Sequence, residues 1–191
     1  MLCLKNSTKE GWIKTALSNL EAVIMDHAHC EKKAAGTGMS LLSSYPEYTE
    51  ISLTMSDLIE EEIGHYRSVV QILNSKGITL GKDKGDPYVK ELMTHLRTSE
   101  PGRILDRLIV SGLIEARSCE RLQLLGENIP DEELKNFYKE LAASEAGHYV
   151  TFIKLAKLYY DEKEVQTRLD ELSTIEAKII EQLPNHPSIH G

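Results

Sequence analysis

What this 191-residue chain has little of narrows the field before any motif is read. Three cysteines, none in a Cys-x-x-Cys pair, give neither a disulfide framework nor a zinc or rubredoxin-type sulfur site, and the cytoplasm is the natural compartment. No apolar run approaches the ~18 residues of a membrane helix, so no membrane partner is expected. The opening segment, Met1 to Asn6, lacks the basic flank, apolar core and cleavage site of a signal peptide. No stretch sustains a two-residue alternation, which argues against a sheet. Positive charge is also short: 22 Lys and Arg against 30 Asp and Glu leave a formal charge of −8, unfavourable for general nucleic-acid affinity.

Helical periodicity is what remains. Hydrophobic residues at 41% and charged residues at 27% are ordinary for a globular protein, and the length suits one well-buried domain spanning residues 1–191. A first helix is expected from about Lys9 to Ser43 and a second from about Glu47 to Lys76, stopped by Gly77. A short helix should start at Pro87, a third long one after Ser99-Glu100-Pro101, and a fourth after Asn128-Ile129-Pro130. A fifth should span Lys163 to Gln182. The tail from Pro184 to Gly191 is expected to be loose, with His186 and His190 solvated. Short turns make helices one and two, and three and four, antiparallel pairs. The segment Gly77 to Glu100 is the single long crossover.

One pattern occurs twice. Glu62-Ile63-Gly64-His65-Tyr66 recurs as Glu145-Ala146-Gly147-His148-Tyr149. Glu and His three residues apart leave the same helix face one turn apart, the spacing that lets one carboxylate and one imidazole share a metal ion. About 30 residues before each lies another Glu within an apolar stripe, Glu31 and Glu115. Matching Cys30-Glu31-Lys32 to Cys119-Glu120-Arg121 would nominate Glu120 instead. A five-residue slip, however, moves a side chain about 7.5 Å along the axis and about 140° around it, and Glu115 shares its stripe with Leu108, Gly112, Cys119 and Leu122. The set Glu31, Glu62, His65, Glu115, Glu145 and His148 matches the known ligand pattern of ferritin-like di-iron and di-manganese proteins. The expected fold is therefore all-α: a ferritin-like four-helix bundle with one long crossover and an additional C-terminal helix, the core running from about residue 9 to 160.

Charge explains why these residues imply metal. Four carboxylates in apolar stripes would each cost several kcal/mol unless paired, and no Lys or Arg lies on those stripes. Two divalent cations balance four negative charges, and two neutral imidazoles complete the ligand set. Oxygen-rich ligation with one His per metal suits iron or manganese better than zinc or copper. Gly64 and Gly147 lie mid-helix, where close helix approach or local distortion is the functional expectation. Tyr66 and Tyr149 should pack with a polar tip, and Cys30 and Cys119 should be small buried residues.

Four segments resemble one family closely: Asp26 to Ala35 (DHAHCEKKAA), Glu61 to His65 (EEIGH), Ile114 to Arg121 (IEARSCER) and Ser144 to Tyr149 (SEAGHY). They are similar to the MiaE-type tRNA 2-methylthio-isopentenyladenosine hydroxylases, from Trp12 to about Tyr160. The resemblance implies O2-dependent hydroxylation of the isopentenyl side chain on a modified adenosine beside the tRNA anticodon. It implies the same six metal ligands and favours two iron ions, with manganese fitting the same donors. It also calls for an external electron donor, a reductase or carrier. Asp26 and Arg117 are candidates to support the ligands. A ferritin- or rubrerythrin-like iron oxidase or peroxidase without an RNA substrate is the alternative.

Two departures stand out. Gly147 occupies a position where the family tends to carry Arg, and the crossover is less basic than usual. Even so, Lys76 to Arg107 holds seven basic residues against five acidic ones, on a chain that is acidic overall. Lys82, Lys84, Lys90, Arg97 and Arg103 are the candidate tRNA contacts, since affinity for RNA comes from cations neutralising phosphates.

Overall fold

The computed structural model describes residues 2–191, and among these it contains seven α-helices and no strand. The chain divides into two compact units. One comprises Ser18–Gly85 and Pro187–Ile189. The other takes Asp86–His186, His190–Gly191 and the N-terminal residues through Leu17.

The first unit is a helical hairpin. The helix expected from Lys9 to Ser43 is broken at Asn19 into α1 (Glu10–Ser18) and α2 (Leu20–Ser44). Asn19 leaves helical geometry, with φ −146°, and its side chain accepts the Ala22 N–H as an N-cap. Four residues then turn the chain into α3 (Thr49–Ser75). The end of α3 shows why Gly77 stops it: at φ +69° it donates to Asn74 O, and Ile78 N–H returns to Leu73 O, the two bonds of a Schellman cap. Val23, Ile24, Ala28, Ala35 and Leu41 of α2 form the core with Ile51, Met55, Leu58, Val69 and Leu73 of α3. The loop after α3 is strapped to α2: His29 Nε2 contacts Gly81 O at 3.0 Å, and Lys33 pairs with Asp83 at 3.6 Å.

The second unit is built around α5 (Gly102–Asn128), which packs against α4 (Pro87–Met93), α6 (Glu132–Tyr159) and α7 (Glu162–Gln182). Three aspartates start helices here as N-caps: Asp86 for α4, Asp131 for α6 and Asp161 for α7. Because helices cover α5 on several sides, its charged residues are buried in pairs. Asp106 accepts from Arg97 and from Arg168. Arg117, fully buried, binds Glu176 of α7 and the backbone oxygen of Asn6, and pairs closely with Glu120. The bonds to Arg97, Arg168, Glu176 and Asn6 tie α5 to the segment after α4, to α7 and to the N-terminal segment, while the Glu120 pair lies within α5.

The expected looseness of the tail is corrected. Ile189 is buried and donates its N–H to Asp26 at 2.7 Å. His190, expected to be solvated, is 4% exposed; it stacks on Tyr88 and lies 2.7 Å from Asp86 Oδ2 and 3.0 Å from Ser118 Oγ. Of the two histidines, His186 is exposed as expected.

Candidate metal centre

Consider first the unit holding α2 and α3. Glu31 and Glu62 are buried and His65 is half-buried, and one ligand atom from each lies within 4.8 Å of the others. His65 Nδ1 is 3.5 Å from Glu31 Oε2 and 3.7 Å from Glu62 Oε2. Burial alone would pull the His65 pKa down, but hydrogen bonding to Glu31 and Glu62 and the charge of both push it up to about 10. Two carboxylates at such range attract a cation of any kind. His27, one turn before Glu31, brings Nε2 to 2.5 Å from Glu31 Oε1. Sequence reading missed this residue, although its i, i+4 spacing to Glu31 was available as a signal.

The unit holding α5 and α6 repeats the donor set. Glu115, Glu145 and His148 are all buried, again with one ligand atom each within 4.8 Å of the others. His148 Nδ1 lies 3.3 Å from Glu145 Oε2. Glu120, the competing candidate on α5, faces elsewhere: it accepts the Thr8 N–H and the Thr8 hydroxyl and pairs with Arg117. Close packing of α5 on α6 occurs at Gly112, where an added Cβ would lie 3.4 Å from Phe152 and Ile153.

Each unit thus offers two carboxylates and one imidazole from adjacent turns of two helices, with no thiolate among them. That chemistry favours a hard or borderline divalent ion held mainly by oxygen, and the clusters fit a di-iron site.

Other expectations need adjustment. A Cβ added at Gly64 or Gly147 would meet nothing within 4 Å, so neither glycine permits a close helix approach. Arg117 serves the buried network joining α5, α7 and the N-terminal segment, with no bond to a candidate ligand. Asp26 binds Ile189 and Cys30. Tyr149 has the expected polar tip: burial first, then the neighbouring Cys3, raises its phenol pKa. Cys119 is buried, while Cys30 is half-buried. Lys82, Lys84, Lys90, Arg97 and Arg103 are all exposed, but the Arg97 guanidinium is already bound to Asp106 at 2.7 Å. No helix among the described residues is long and apolar enough to cross a membrane.

The family model described as tRNA-(MS[2]IO[6]A)-hydroxylase (MiaE) matches residues 1–191. The chain belongs to the MiaE family. A relative from Pseudomonas putida, named tRNA 2-(methylsulfanyl)-N(6)-isopentenyladenosine(37) hydroxylase, is 36% identical over 184 residues, covering 96% of this chain and 89% of that protein. A relative of the same name from Salmonella typhimurium is 28% identical over 222 residues, covering 91% of this chain and 82% of that protein. Among solved structures, "Protein 43 with aldehyde deformylating oxygenase activity from Synechococcus" superposes with a TM-score of 0.95 at 34% identity, over 100% of this chain and 96% of that one. The MiaE-family chain therefore has the all-α, ferritin-like fold expected from its repeated motif.

Proposed function

We propose that this chain is a di-iron, O2-dependent monooxygenase that hydroxylates the isopentenyl side chain of a modified adenosine adjacent to the tRNA anticodon. The observation that carries the reading is the duplicated donor set, two carboxylates and an imidazole in each unit, in a member of the MiaE family. Glu31, Glu62 and His65 would hold one ion, and Glu115, Glu145 and His148 the other. Bound there, the ions would supply oxygen activation, which no side chain of the chain provides.

The residues themselves supply charge balance, dryness and rigidity. Four carboxylates match the charge of two divalent cations, and the two imidazoles add neutral nitrogen donors. Glu31, Glu62, Glu115 and Glu145 are themselves buried, which keeps water from the carboxylates. Every ligand comes from the middle of a long helix, which fixes its direction better than a loop would. Electrons would come from an external reductase or carrier, and the compartment would be the cytoplasm. Docking of tRNA would use the exposed cations Lys82, Lys84, Lys90 and Arg103, with Arg97 contributing less because Asp106 already holds it.

The test is turnover. Iron-loaded protein, O2 and a chemical reductant are incubated with bulk tRNA bearing the prenyl modification, and the digested nucleosides are read by mass spectrometry. A gain of one oxygen on the prenylated adenosine is the expected result. The aldehyde deformylating oxygenase activity named for the Synechococcus neighbour makes an aldehyde the second substrate. Aldehyde consumption with tRNA untouched would overturn the RNA reading, and oxygen consumption with neither substrate altered would point to an iron oxidase or peroxidase.

A further inference from the structure

The two donor sets match in type but not in what holds them. On α2, His27 Nε2 lies 2.5 Å from Glu31 Oε1, the two side chains being 1% and 4% exposed. An ionised carboxylate has no proton to offer, so a proton at this close contact has to come from Nε2. Residues four apart on one helix keep this contact without any loop to relax it. The other oxygen, Oε2, is the one that faces His65 Nδ1, at 3.5 Å. On α5 the position four residues before Glu115 is Ser111, also buried, whose hydroxyl sits on a much shorter stem than the imidazole N–H.

We infer that His27 is a positioning residue that ties up Glu31 Oε1, so that Oε2 alone is presented to the ion shared with Glu62 and His65. The inference rests on the dimetal reading above. A carboxylate with one oxygen fixed is a one-point ligand. It can neither chelate through both oxygens nor swing away, and the close imidazole contact fixes its orientation before the ion arrives. Glu115 has no histidine at the equivalent position, so the two ions lie in unequal surroundings. The α2–α3 site should be the more rigid of the two.

Two variants separate the N–H from the ring that bears it. His27→Phe keeps an aromatic ring and deletes the donor; His27→Gln keeps an N–H near the Nε2 position and deletes the ring. Each full-length protein is titrated anaerobically with Fe(II) against a competing chelator, and the Mössbauer spectrum of the ferrous form is recorded. Wild type should bind two irons with two distinguishable quadrupole doublets. His27→Phe should weaken one of the two irons by about 10–100-fold and alter one doublet, while His27→Gln should restore both affinity and spectrum. The inference is overturned if His27→Phe binds two irons with wild-type affinity and spectrum. It is equally overturned if His27→Gln is as weak as His27→Phe, because the ring or direct ligation would then be responsible. Wild-type protein that binds no iron would refute the dimetal reading itself, a result visible before any variant is made.

Discussion

Glu115 and Glu120 lie five residues apart on α5, and their neighbours give them different work. Glu115 lies beside Glu145 and His148, whereas Glu120 is bound to Thr8 and Arg117. Glu115→Ala should therefore reduce bound iron from two per chain to one or fewer, measured by elemental analysis. Glu120→Ala should retain both irons yet lose about 1–3 kcal/mol of stability in urea, because it strips partners from the Thr8 N–H and the buried Arg117. Asp106 gives a pH-dependent prediction. Burial would raise its pKa, but hydrogen bonds from Arg168 and Arg97 override burial and hold it below the ordinary 3.8. A depressed native pKa means stability that is fully present above the unfolded value and lost as pH falls through the native one. Asp106→Asn should destabilise the protein at pH 7 by about 2–3 kcal/mol, and denaturation curves of the two proteins should converge as the pH drops below 3.8.

Among the helices, glycine has opposite roles at different positions. At Gly126 of α5, an added Cβ would lie 3.2 Å from the Lys139 nitrogen and 3.4 Å from the Lys135 oxygen of α6, backbone atoms that cannot step aside. Gly126→Ala should force α5 and α6 apart locally, at a cost of about 1–3 kcal/mol. Gly147 has open space around it in the middle of α6, so Gly147→Ala should stabilise the protein by up to about 1 kcal/mol. Thermal melts of the two variants shifting in the same direction would contradict this contrast. Both glycines lie inside helices, and periodicity alone treats them alike. What distinguishes them is the helix opposite.

For the molecule as a whole, the proposed metal centre should show up as stability. Two bound irons would favour the folded chain by mass action, about 2.7 kcal/mol for an ion at a hundred times its dissociation constant. For a chain of this size, stripping both irons with a chelator should lower Tm by roughly 10–20 °C. An unchanged Tm after complete removal would mean that the buried carboxylates are not a metal cage. Charge gives a second whole-molecule prediction. Lys82, Lys84 and Lys90 are exposed cations on a chain of net charge −8. Reversing all three to Glu should weaken tRNA binding and flatten the plot of log affinity against log salt, by roughly one unit of slope for every phosphate no longer neutralised. Turnover of the free modified nucleoside should hardly change; equal loss on both substrates would place the effect at the metal centre instead.

Features encoded within one or two helical turns were legible in the sequence. The Glu-x-x-His spacing, the Gly77 stop and the start of α4 at Pro87 all concern neighbours a few residues apart, where backbone geometry fixes direction. The positions of Glu31 and Glu115 were legible for the same reason, each lying on one helical stripe. Tertiary structure decided whatever depends on partners remote in the chain. His190 is ordered by Asp86, Tyr88 and Ser118, and Arg117 is claimed by Glu176 and Asn6. Neither segment carries a periodic signal for those partners. Gly64 and Gly147 were given a packing role that belongs to Gly38, Gly112 and Gly126, because only the facing helix shows where a Cβ would collide. The break at Asn19 is local, but a capping side chain inside a continuous apolar stripe looks the same in sequence as a surface asparagine on an unbroken helix. Burial then determines which polar groups must find partners, and burial is a property of the folded chain.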